Sequence, residues 1–246
     1  MPRFFVPKKD IHDNRGEITG PEFDHLTKVL RLRPGDRVTL FDDEGWEHEG
    51  VLRSSAARSG EIEILDSYRS GRESSLDVTL AQALGKGDKM DWVVEKATEL
   101  GIAAIIPFVS AHTVPRLGNE KAERRRQRWQ KIALSAAMQS GRTRIPRILE
   151  VSGFEELAGR EWPCDLKLIL WEGERLKSLS ELKNERGQVR SVLLAVGPEG
   201  GFAEEEVSHA VGRGFVTVHL GKRILRTETA AVAAVTLAQF LWGDMG

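Results

Sequence analysis

The sequence predicts an α/β protein with a mostly parallel sheet, preceded by a small β-barrel domain. From residue 76 onward, apolar strand-like runs alternate with helix-like segments, and repeated βα units usually form parallel sheets covered on both faces. Before that point, short β-like runs are joined by turn residues. The predicted domains are therefore residues 1–70 and 71–246.

The first domain is predicted from a hairpin pattern. The β-like runs 37–41 and 46–53 are joined by Asp42-Asp43-Glu44-Gly45, and acid-glycine pairs suit a tight hairpin turn. The stretch 67–75 is polar and rich in serine, which is typical of a linker. We therefore expect the boundary between the domains in this stretch.

The second domain is predicted from its alternating pattern. Residues 76–83 indicate its first strand, and Asp88 is positioned to cap a helix whose apolar residues recur at helical spacing until Gly101. Further strands are expected at 103–109, 147–151, 167–171, 192–196 and 215–220, with a basic helix around 120–139.

The last helix is expected to begin near Glu228 and is apolar on all sides as far as Trp242. A helix of this kind is usually buried on all sides, and its many alanines permit close packing. A central core helix would satisfy the pattern.

Two glycine-bearing loops predict a small-molecule pocket. Loop 197–201, with the sequence GPEGG, follows strand 192–196, and the loop that begins at Gly221 follows strand 215–220. Glycine allows close approach of the backbone to a ligand, and open α/β sheets bind ligands at strand ends. Loop 197–201 lacks the P-loop lysine and the dinucleotide spacing, and its one charged residue, Glu199, would repel phosphate. An adenosyl compound with a positive centre, such as S-adenosylmethionine (SAM), fits this description.

Composition limits the classes of protein that remain. The chain of 246 residues carries a net charge of −1 and has no apolar stretch long enough for a signal peptide or a membrane span. We therefore expect a cytoplasmic protein with no membrane contact. Cys164 is the only cysteine, and the six histidines lack ligand spacing, so we expect neither a disulfide nor a metal.

The overall charge hides a basic zone between Arg116 and Arg147, which carries a local excess of eight positive charges. Lysine and arginine neutralise phosphates in nucleic-acid complexes, so this zone favours RNA contact. The alternative interpretation is a solvated helix face.

Five segments carry a resemblance to a known family. They are VGPEGGF at 196–202, LGKRILRTETA at 220–230, HLTKVLRLRPGD at 25–36, QALGKGDKMDWVVEKATELG at 82–101 and QSGRTRIP at 139–146. Together they resemble the RsmE-type ribosomal RNA methyltransferases of bacteria. RILRTETA, in the right order after GPEGG, makes the resemblance specific, because related 2'-O-methyltransferases carry loops similar to GPEGG.

The resemblance implies a SPOUT-type methyltransferase domain, with the SAM-binding region folded as a trefoil knot, after a PUA-like RNA-binding domain. It also implies a homodimer that methylates N3 of one uridine in the 16S ribosomal RNA of the small ribosomal subunit. The last helix would then be the threaded element and would pack against its counterpart.

The resemblance also implies the site residues. Those for the cofactor are Leu170, Trp171, Glu172, Val196, Gly197, Pro198, Glu199, Gly200, Gly201, Leu220, Gly221, Ile224 and Leu225. Those expected to face RNA are Arg3, Phe4, Arg31, Arg33, Lys86, Lys89, Gln139 and Arg142, to which the basic zone adds Arg124 and Arg125.

The chemistry of the substrate indicates the catalytic residues. N3 of uracil carries a proton, so methylation needs a base, or a cation that stabilises the resulting anion. Arg226 is the candidate for charge stabilisation and Glu228 for the base, while Glu199 suits either role or an interaction with the sulfonium. The alternatives are structural: Glu228 would simply begin the last helix, and Glu199 would bind loop amides.

One position departs from the family pattern. Met138 stands where the family usually has glutamate before the Gln-(Ser/Cys)-Gly-Arg motif. Two other functions stay open: a 2'-O-ribose methyltransferase, which shares the fold and the cofactor, and a ribosome-associated RNA-binding protein without catalytic activity, for which Met138 is the one sequence hint.

Overall fold

The computed structural model describes residues 1–56, 58–113, 118–175 and 177–246. The chain forms two compact units. The first contains Met1–Glu73 and Ala137–Ile145, and the second contains Ser74–Ala136 and Pro146–Gly246. This division differs from the predicted domains in two respects: the first boundary falls after Glu73 and not after residue 70, and residues 137–145 are part of the first unit.

The first unit is built on a six-stranded sheet. Its strands are β1 (Arg3–Phe5), β2 (Ile11–His12), β3 (Arg15–Thr19), β4 (Arg37–Phe41), β5 (Trp46–Ala56) and β6 (Ser59–Arg69), in the order β1-β4-β5-β6-β3-β2. A 3-10 turn at Lys8–Asp10, helix α1 (Gly20–Asp24) and a π-helical turn at His25–Val29 connect them. The core is apolar and consists of Phe4, Val6, Ile18, Leu26, Val38, Leu40, Leu52 and Ile62.

The predicted hairpin in this unit is confirmed, since β4 and β5 pair antiparallel. The Asp42 carboxylate accepts hydrogen bonds from the amides of Glu44 and Trp46 at 2.9 and 3.1 Å. Asp43 and Gly45 take positive φ values of 65° and 96°. Acidic and glycine residues tolerate this backbone region, which explains why the turn forms here.

The linker prediction for residues 67–75 is wrong at its start. Ser67, Tyr68 and Arg69 belong to β6 and pair with β5. The polar composition that indicated a linker belongs to the end of a long hairpin, where backbone hydrogen bonds to the partner strand determine the conformation.

The second unit contains a sheet in which every pair of strands is parallel. Its strands are β7 (Asp77–Ala83), β8 (Ala104–Val109), β9 (Arg147–Ile148), β10 (Ser152–Gly153), β11 (Leu166–Leu170), β12 (Ser191–Val196) and β13 (Val216–Val218). The order is β10-β8-β7-β12-β11-β13, and β9 pairs with β8. The predicted α/β class with a mostly parallel sheet is therefore confirmed.

In the described chain, helices α2 (Lys89–Glu99), α3 (Asn119–Ser140), α4 (Phe154–Gly159), α5 (Leu179–Arg186) and α6 (Glu204–Gly212) lie between these strands, and α7 (Thr227–Trp242) follows β13. Asp88 occupies the N-cap position of α2, but its side chain makes no capping hydrogen bond. The predicted strand at 147–151 is reduced to β9, and the predicted strand at 215–220 is reduced to β13. No helix in the described ranges is long and apolar enough to cross a membrane.

Helix α7 departs from the expectation of burial on all sides. Ala231, Ala234 and Ala238 are fully buried, on the side where the helix meets α2, α5, β7 and β12. Leu237 and Phe240 are 39% and 58% exposed. The prediction is therefore wrong for the single chain, in which the face that carries the alanines is buried and the face that carries Leu237 and Phe240 is not.

Candidate active site

A cavity of about 380 Å³ lies at the carboxyl ends of β11, β12 and β13 in the second unit. Every residue predicted to bind the cofactor lines it: Leu170, Trp171, Glu172, Val196, Gly197, Pro198, Glu199, Gly200, Gly201, Leu220, Gly221, Ile224 and Leu225. The strand ends bring together three loops that are far apart in sequence, as expected for a parallel sheet. Whether these residues bind a cofactor stays a prediction.

Loop 197–201 is held in place by its own turn and by the core below it. The Gly201 amide donates to the Pro198 carbonyl at 3.0 Å, and Gly201 has a φ of 71°. A Cβ on Gly197 would lie 3.1 Å from the Phe202 ring, and this ring stacks on Phe108 in the core. Because Phe202 cannot easily retreat, Gly197 leaves no room for a larger side chain.

The loop after β13 forms the opposite wall of the cavity. Gly221 has a φ of 93°, and its amide donates to Nδ1 of His219 at 3.0 Å. This positive φ favours glycine. A Cβ would meet no atom within 4 Å, so the backbone conformation and not a lack of space restricts this position. Ile224 lines the cavity but is 82% exposed, so it forms the rim of the cavity.

A chain of buried hydrogen bonds lies behind loop 197–201. Gln82, at the end of β7, donates from Nε2 to the Thr227 hydroxyl at 2.9 Å, and Thr227 donates to the Gly197 carbonyl at 2.6 Å. Because Thr227 donates its single hydroxyl proton to the Gly197 carbonyl, its oxygen can only accept in the hydrogen bond with Gln82. The chain joins β7, loop 197–201 and the first turn of α7. The sequence analysis did not identify Gln82 as part of the site. The one feature that could have indicated it is the presence of a polar residue within an apolar strand.

Lys89 connects the two acidic candidates for catalysis. Its Nζ lies 2.9 Å from Oε1 of Glu199 and 3.3 Å from Oε2 of Glu228. Burial raises the pKa of the Glu199 carboxyl, but the hydrogen bonds from Lys89 and from the Lys86 amide outweigh this effect, so the pKa is lowered. Glu199 is therefore held in its ionised form.

Arg226 stands apart from this cluster. It is the N-cap residue of α7 and lines the cavity with an exposed side chain. In the described part of the chain, its guanidinium makes no hydrogen bond or ion pair. Arg226 is therefore available to a ligand, in contrast to Lys89.

Other residues line the same cavity without having been predicted. They are Glu174, Phe202, Val218, His219, Lys222, Arg223, Thr227 and Ala230. Most lie inside or next to the motifs already identified. A further contact, from His112 Nδ1 to the carbonyls of Gly200 and Gly201 at 3.1 and 3.3 Å, comes from a segment that no motif singled out.

The residues predicted to face RNA in the second unit differ in accessibility. Lys86 and Arg124 are exposed, and Arg125 and Lys89 are half-buried. Arg124 forms an ion pair with Glu120 one turn away, which leaves less of its charge for phosphate. Arg116, at the start of the predicted basic zone, lies outside the described residues.

Elsewhere in the basic zone, acidic partners neutralise part of the charge. Arg126 pairs with Glu123 at 2.7 Å. Asp91 of α2 accepts from Arg128 Nε at 2.8 Å and from Trp129 Nε1 at 2.9 Å. These contacts join α3 to α2, a structural role that the charge count did not reveal.

In the first unit, two of the predicted RNA-facing residues are buried. The structure places Phe4 in the hydrophobic core, fully buried, because β1 pairs with β4 and alternates its side chains. Arg142 is only 5% exposed, and its Nη2 donates to Glu73 at 2.7 Å. Neither side chain faces solvent in the described chain, and contact of their segments with RNA stays a prediction.

The other residues of this unit that were predicted to face RNA are either exposed or engaged in contacts within the unit. Arg31, Arg33 and Gln139 are exposed. Arg3 pairs with Glu47 and donates to the Arg142 carbonyl at 2.9 Å. Their contact with RNA stays a prediction.

Met138 also lies in this unit, where it packs against the hydrophobic core. Packing therefore explains an apolar residue at this position, and Met138 gives no structural support to a loss of activity.

Comparison with known proteins defines the class. The model of an RNA methyltransferase domain matches residues 72–239, and that of an RNA methyltransferase PUA domain matches residues 18–65. These two matches identify the chain as an RNA methyltransferase. The cavity at the strand ends of the parallel sheet agrees with this class. The chain belongs to the ribosomal RNA small subunit methyltransferase E family.

Individual relatives support this assignment over nearly the full length. The Bacillus subtilis ribosomal RNA small subunit methyltransferase E is 35% identical, with 98% of this chain and 96% of the relative covered. The Synechocystis protein of the same name is 33% identical, with 95% and 75% covered. The crystal structure of the Neisseria gonorrhoeae protein of this name, bound to S-adenosyl methionine, has a TM-score of 0.88 and 38% identity and covers 100% of both chains.

Proposed function

We propose that this protein transfers the methyl group of SAM to N3 of a specific uridine in 16S ribosomal RNA, on the assembled small ribosomal subunit. The observation that carries the proposal is the convergence of the family's SAM-pocket segments on one cavity, in a chain that belongs to this family.

The cavity fits an adenosyl compound. Its volume of about 380 Å³ lies within the usual range of roughly 300–1,000 Å³ for ligand pockets. Leu170, Val196 and Leu225 supply apolar walls, while loop 197–201 presents backbone groups. Glu172 and Glu199 supply negative charge suited to a sulfonium. When bound, SAM supplies an electrophilic methyl group on that positive sulfur.

The residues of the chain have separable roles in this proposal. Arg226, exposed on the cavity wall, stabilises negative charge on the uracil as N3 loses its proton. Glu199 and Glu228 are the candidates for accepting that proton or for balancing the sulfonium. In the described ranges no three His, Cys, Asp or Glu side chains form a group that could hold a metal ion.

RNA contact is assigned to exposed basic and polar residues of each unit. In the first unit, residues 1–70 supply the PUA-like RNA-binding domain, with Arg31 and Arg33 exposed. In the second, residues 71–246 supply the SPOUT-type knotted domain, with Lys86, Arg124 and Arg125 directed to phosphates. Such contacts position the substrate without entering the chemistry. A ribosomal substrate is consistent with a cytoplasmic protein.

The exposed face of α7 supports a homodimer. Leu237 and Phe240 are large apolar side chains that remain accessible in the single chain. Exposed apolar surface of this kind commonly marks an interface, and a two-fold axis through α7 would bury both residues and their copies.

The decisive experiment is methyl transfer from labelled SAM to small ribosomal subunits that lack the modification. After digestion to nucleosides, mass spectrometry should detect 3-methyluridine. A product methylated on the ribose would instead establish the 2'-O-methyltransferase alternative. Binding of SAM and RNA with no transfer to naked RNA or to subunits would establish the alternative of an RNA-binding protein without activity.

A further inference from the structure

Lys89 places one ammonium between carboxylates that come from two different elements. Lys89 begins α2, Glu199 lies in the loop after β12, and Glu228 lies in the first turn of α7. Nζ contacts both carboxylates, at 2.9 and 3.3 Å. The three side chains are partly shielded, with exposed fractions of 31%, 30% and 17%, so water screens these ion pairs less than it screens pairs on the open surface.

The second contact of Glu199 strengthens this arrangement. Its Oε1, which Lys89 contacts, also accepts a hydrogen bond from the Lys86 amide at 3.1 Å. An ammonium already shared by two carboxylates has little charge left for a phosphate. The geometry therefore disfavours the RNA-facing role that the sequence predicts for Lys89.

We propose that Lys89 is a positioning residue for methyl transfer: its ammonium holds the side chains of Glu199 and Glu228 in place beside the cavity and does not contact RNA phosphates. This inference rests on the proposed function, because it concerns how the carboxylates of that site are kept in their working form.

The physical reason is the repulsion between neighbouring carboxylates. Two like charges that share a site cannot both ionise easily, and one pKa rises. Lys89 cancels this repulsion. Burial is the largest single influence on the pKa of Glu199 and raises it, but Lys89 and the backbone amides of Glu199 and Lys86 together lower it. The pKa of Lys89 is itself raised, first by its hydrogen bond to Glu199.

Other charged or titratable groups line the cavity that contains Glu199 or contact its loop. They are Glu228 from α7, Lys86 from the loop before α2, His112 from the loop after β8, Glu172 and Glu174 from the loop after β11, and His219, Lys222, Arg223 and Arg226 from the segment between β13 and α7. Lys89 is the one described residue whose ammonium contacts Glu199 and Glu228 together.

The test is a direct titration of Glu199 in three proteins without ligand. The ¹³C carboxyl resonance of Glu199 is identified as the one that Glu199→Gln removes. In Lys89→Met its midpoint should rise by about one pH unit or more. Lys96→Met is the matched control: it removes an equal charge from the same helix, where the Lys96 ammonium also contacts two glutamates, Glu95 at 2.7 Å and Glu99 at 2.9 Å, so the Glu199 midpoint should stay at the parental value.

The pH dependence of the reaction rate distinguishes a positioning role of Lys89 from a purely structural role. In Lys89→Met, the acidic limb of the pH profile of the single-turnover rate, measured at saturating SAM and subunits, should move to higher pH. In Lys89→Arg this limb should lie close to its parental position. In Lys96→Met the acidic limb should not move. An unchanged Glu199 midpoint in Lys89→Met overturns the proposal, and so does a loss of RNA affinity with a smaller salt dependence at an unchanged midpoint.

The two proposals fail in different ways. If the parental protein methylates no RNA, the proposed function falls, and the role of Lys89 in methyl transfer falls with it. If the parent makes 3-methyluridine while Lys89→Met titrates and turns over like the parent, only the positioning role is wrong.

Discussion

Thr227 donates a hydrogen bond of 2.6 Å from its hydroxyl to the carbonyl oxygen of Gly197. It joins the first residue of α7 to the first residue of loop 197–201, which lines the cavity. The backbone position of the loop therefore depends on a side chain 30 residues further along the chain.

Removing this bond should weaken the cofactor site. Thr227→Val keeps the shape of the side chain but leaves Gly197 and Gln82 without a hydroxyl partner, which costs about 1–3 kcal/mol for a buried group. We expect SAM affinity, measured by calorimetry, to fall roughly tenfold or more. Thr229→Val, an exposed position on the same helix, is the control. Equal affinities in the two variants would contradict this role.

The glycines of the two loops should be sensitive to larger side chains. Gly197→Val would push against the Phe202 ring at 3.1 Å, and Gly221→Val would strain a backbone with a φ of 93°. Both should abolish measurable SAM binding while the far-ultraviolet circular dichroism stays near the parental spectrum. Gly71→Val, where a Cβ meets open space, should bind SAM normally. Parental affinity in both loop variants would remove these loops from the site.

Arg226 and Arg124 should separate chemistry from binding. Arg226→Ala should leave SAM affinity nearly unchanged and lower the single-turnover rate by on the order of 10² or more, as the loss of a preorganised charge-stabilising donor does. Arg124→Ala should weaken RNA binding modestly, reduce its salt dependence and leave the saturated rate unchanged. A parental rate for Arg226→Ala at saturating RNA would exclude this residue from the mechanism.

The exposed side of α7 should control assembly. Light scattering should find the parental protein as a dimer. Phe240→Asp should shift it towards the monomer, because the variant places an unpaired charge in an apolar contact. Val211→Asp on α6, where Val211 is also exposed, should leave the dimer intact. A monomeric parent at all concentrations tested would refute the dimer. Ala234 is a poor site for this test, since it is buried within the single chain.

Glu73 should make the stability of the first unit depend on pH. Burial raises its pKa, but Arg142 and the amides of Thr143 and Arg144 lower it below its ordinary value. The stabilisation is therefore present above the unfolded pKa of about 4.3 and is lost as pH falls through the lower folded value.

Glu73→Gln should destabilise the protein at pH 7 by about 3 kcal/mol or more, because the buried Arg142 loses its carboxylate partner. The difference from the parent should shrink as urea denaturation is repeated at lower pH. Glu61→Gln, which breaks the exposed pair with Arg15, should cost about 1 kcal/mol or less at every pH. Equal effects of the two substitutions would contradict the importance of burial.

Features that depend on residues close together in sequence could be predicted, whereas contacts between distant residues could not. The turn at Asp42–Gly45, the parallel sheet and the cavity loops follow from residues that are neighbours in sequence or in a recognised motif. Lys89 and Glu199 are 110 residues apart, so no spacing rule reveals their ion pair. The burial of Phe4 and Arg142 depends on tertiary neighbours, and a count of basic residues does not distinguish a phosphate contact from an internal ion pair.

The division of the chain has a consequence for synthesis on the ribosome. Residues 137–145 complete the first unit, and they include Arg142, which neutralises Glu73. Although domains generally fold in order of their emergence during translation, this one cannot be finished when residue 73 leaves the exit tunnel. The nascent N-terminal unit must wait until β7, α2, β8 and α3 have also been translated, so a fragment ending at residue 73 is an incomplete domain.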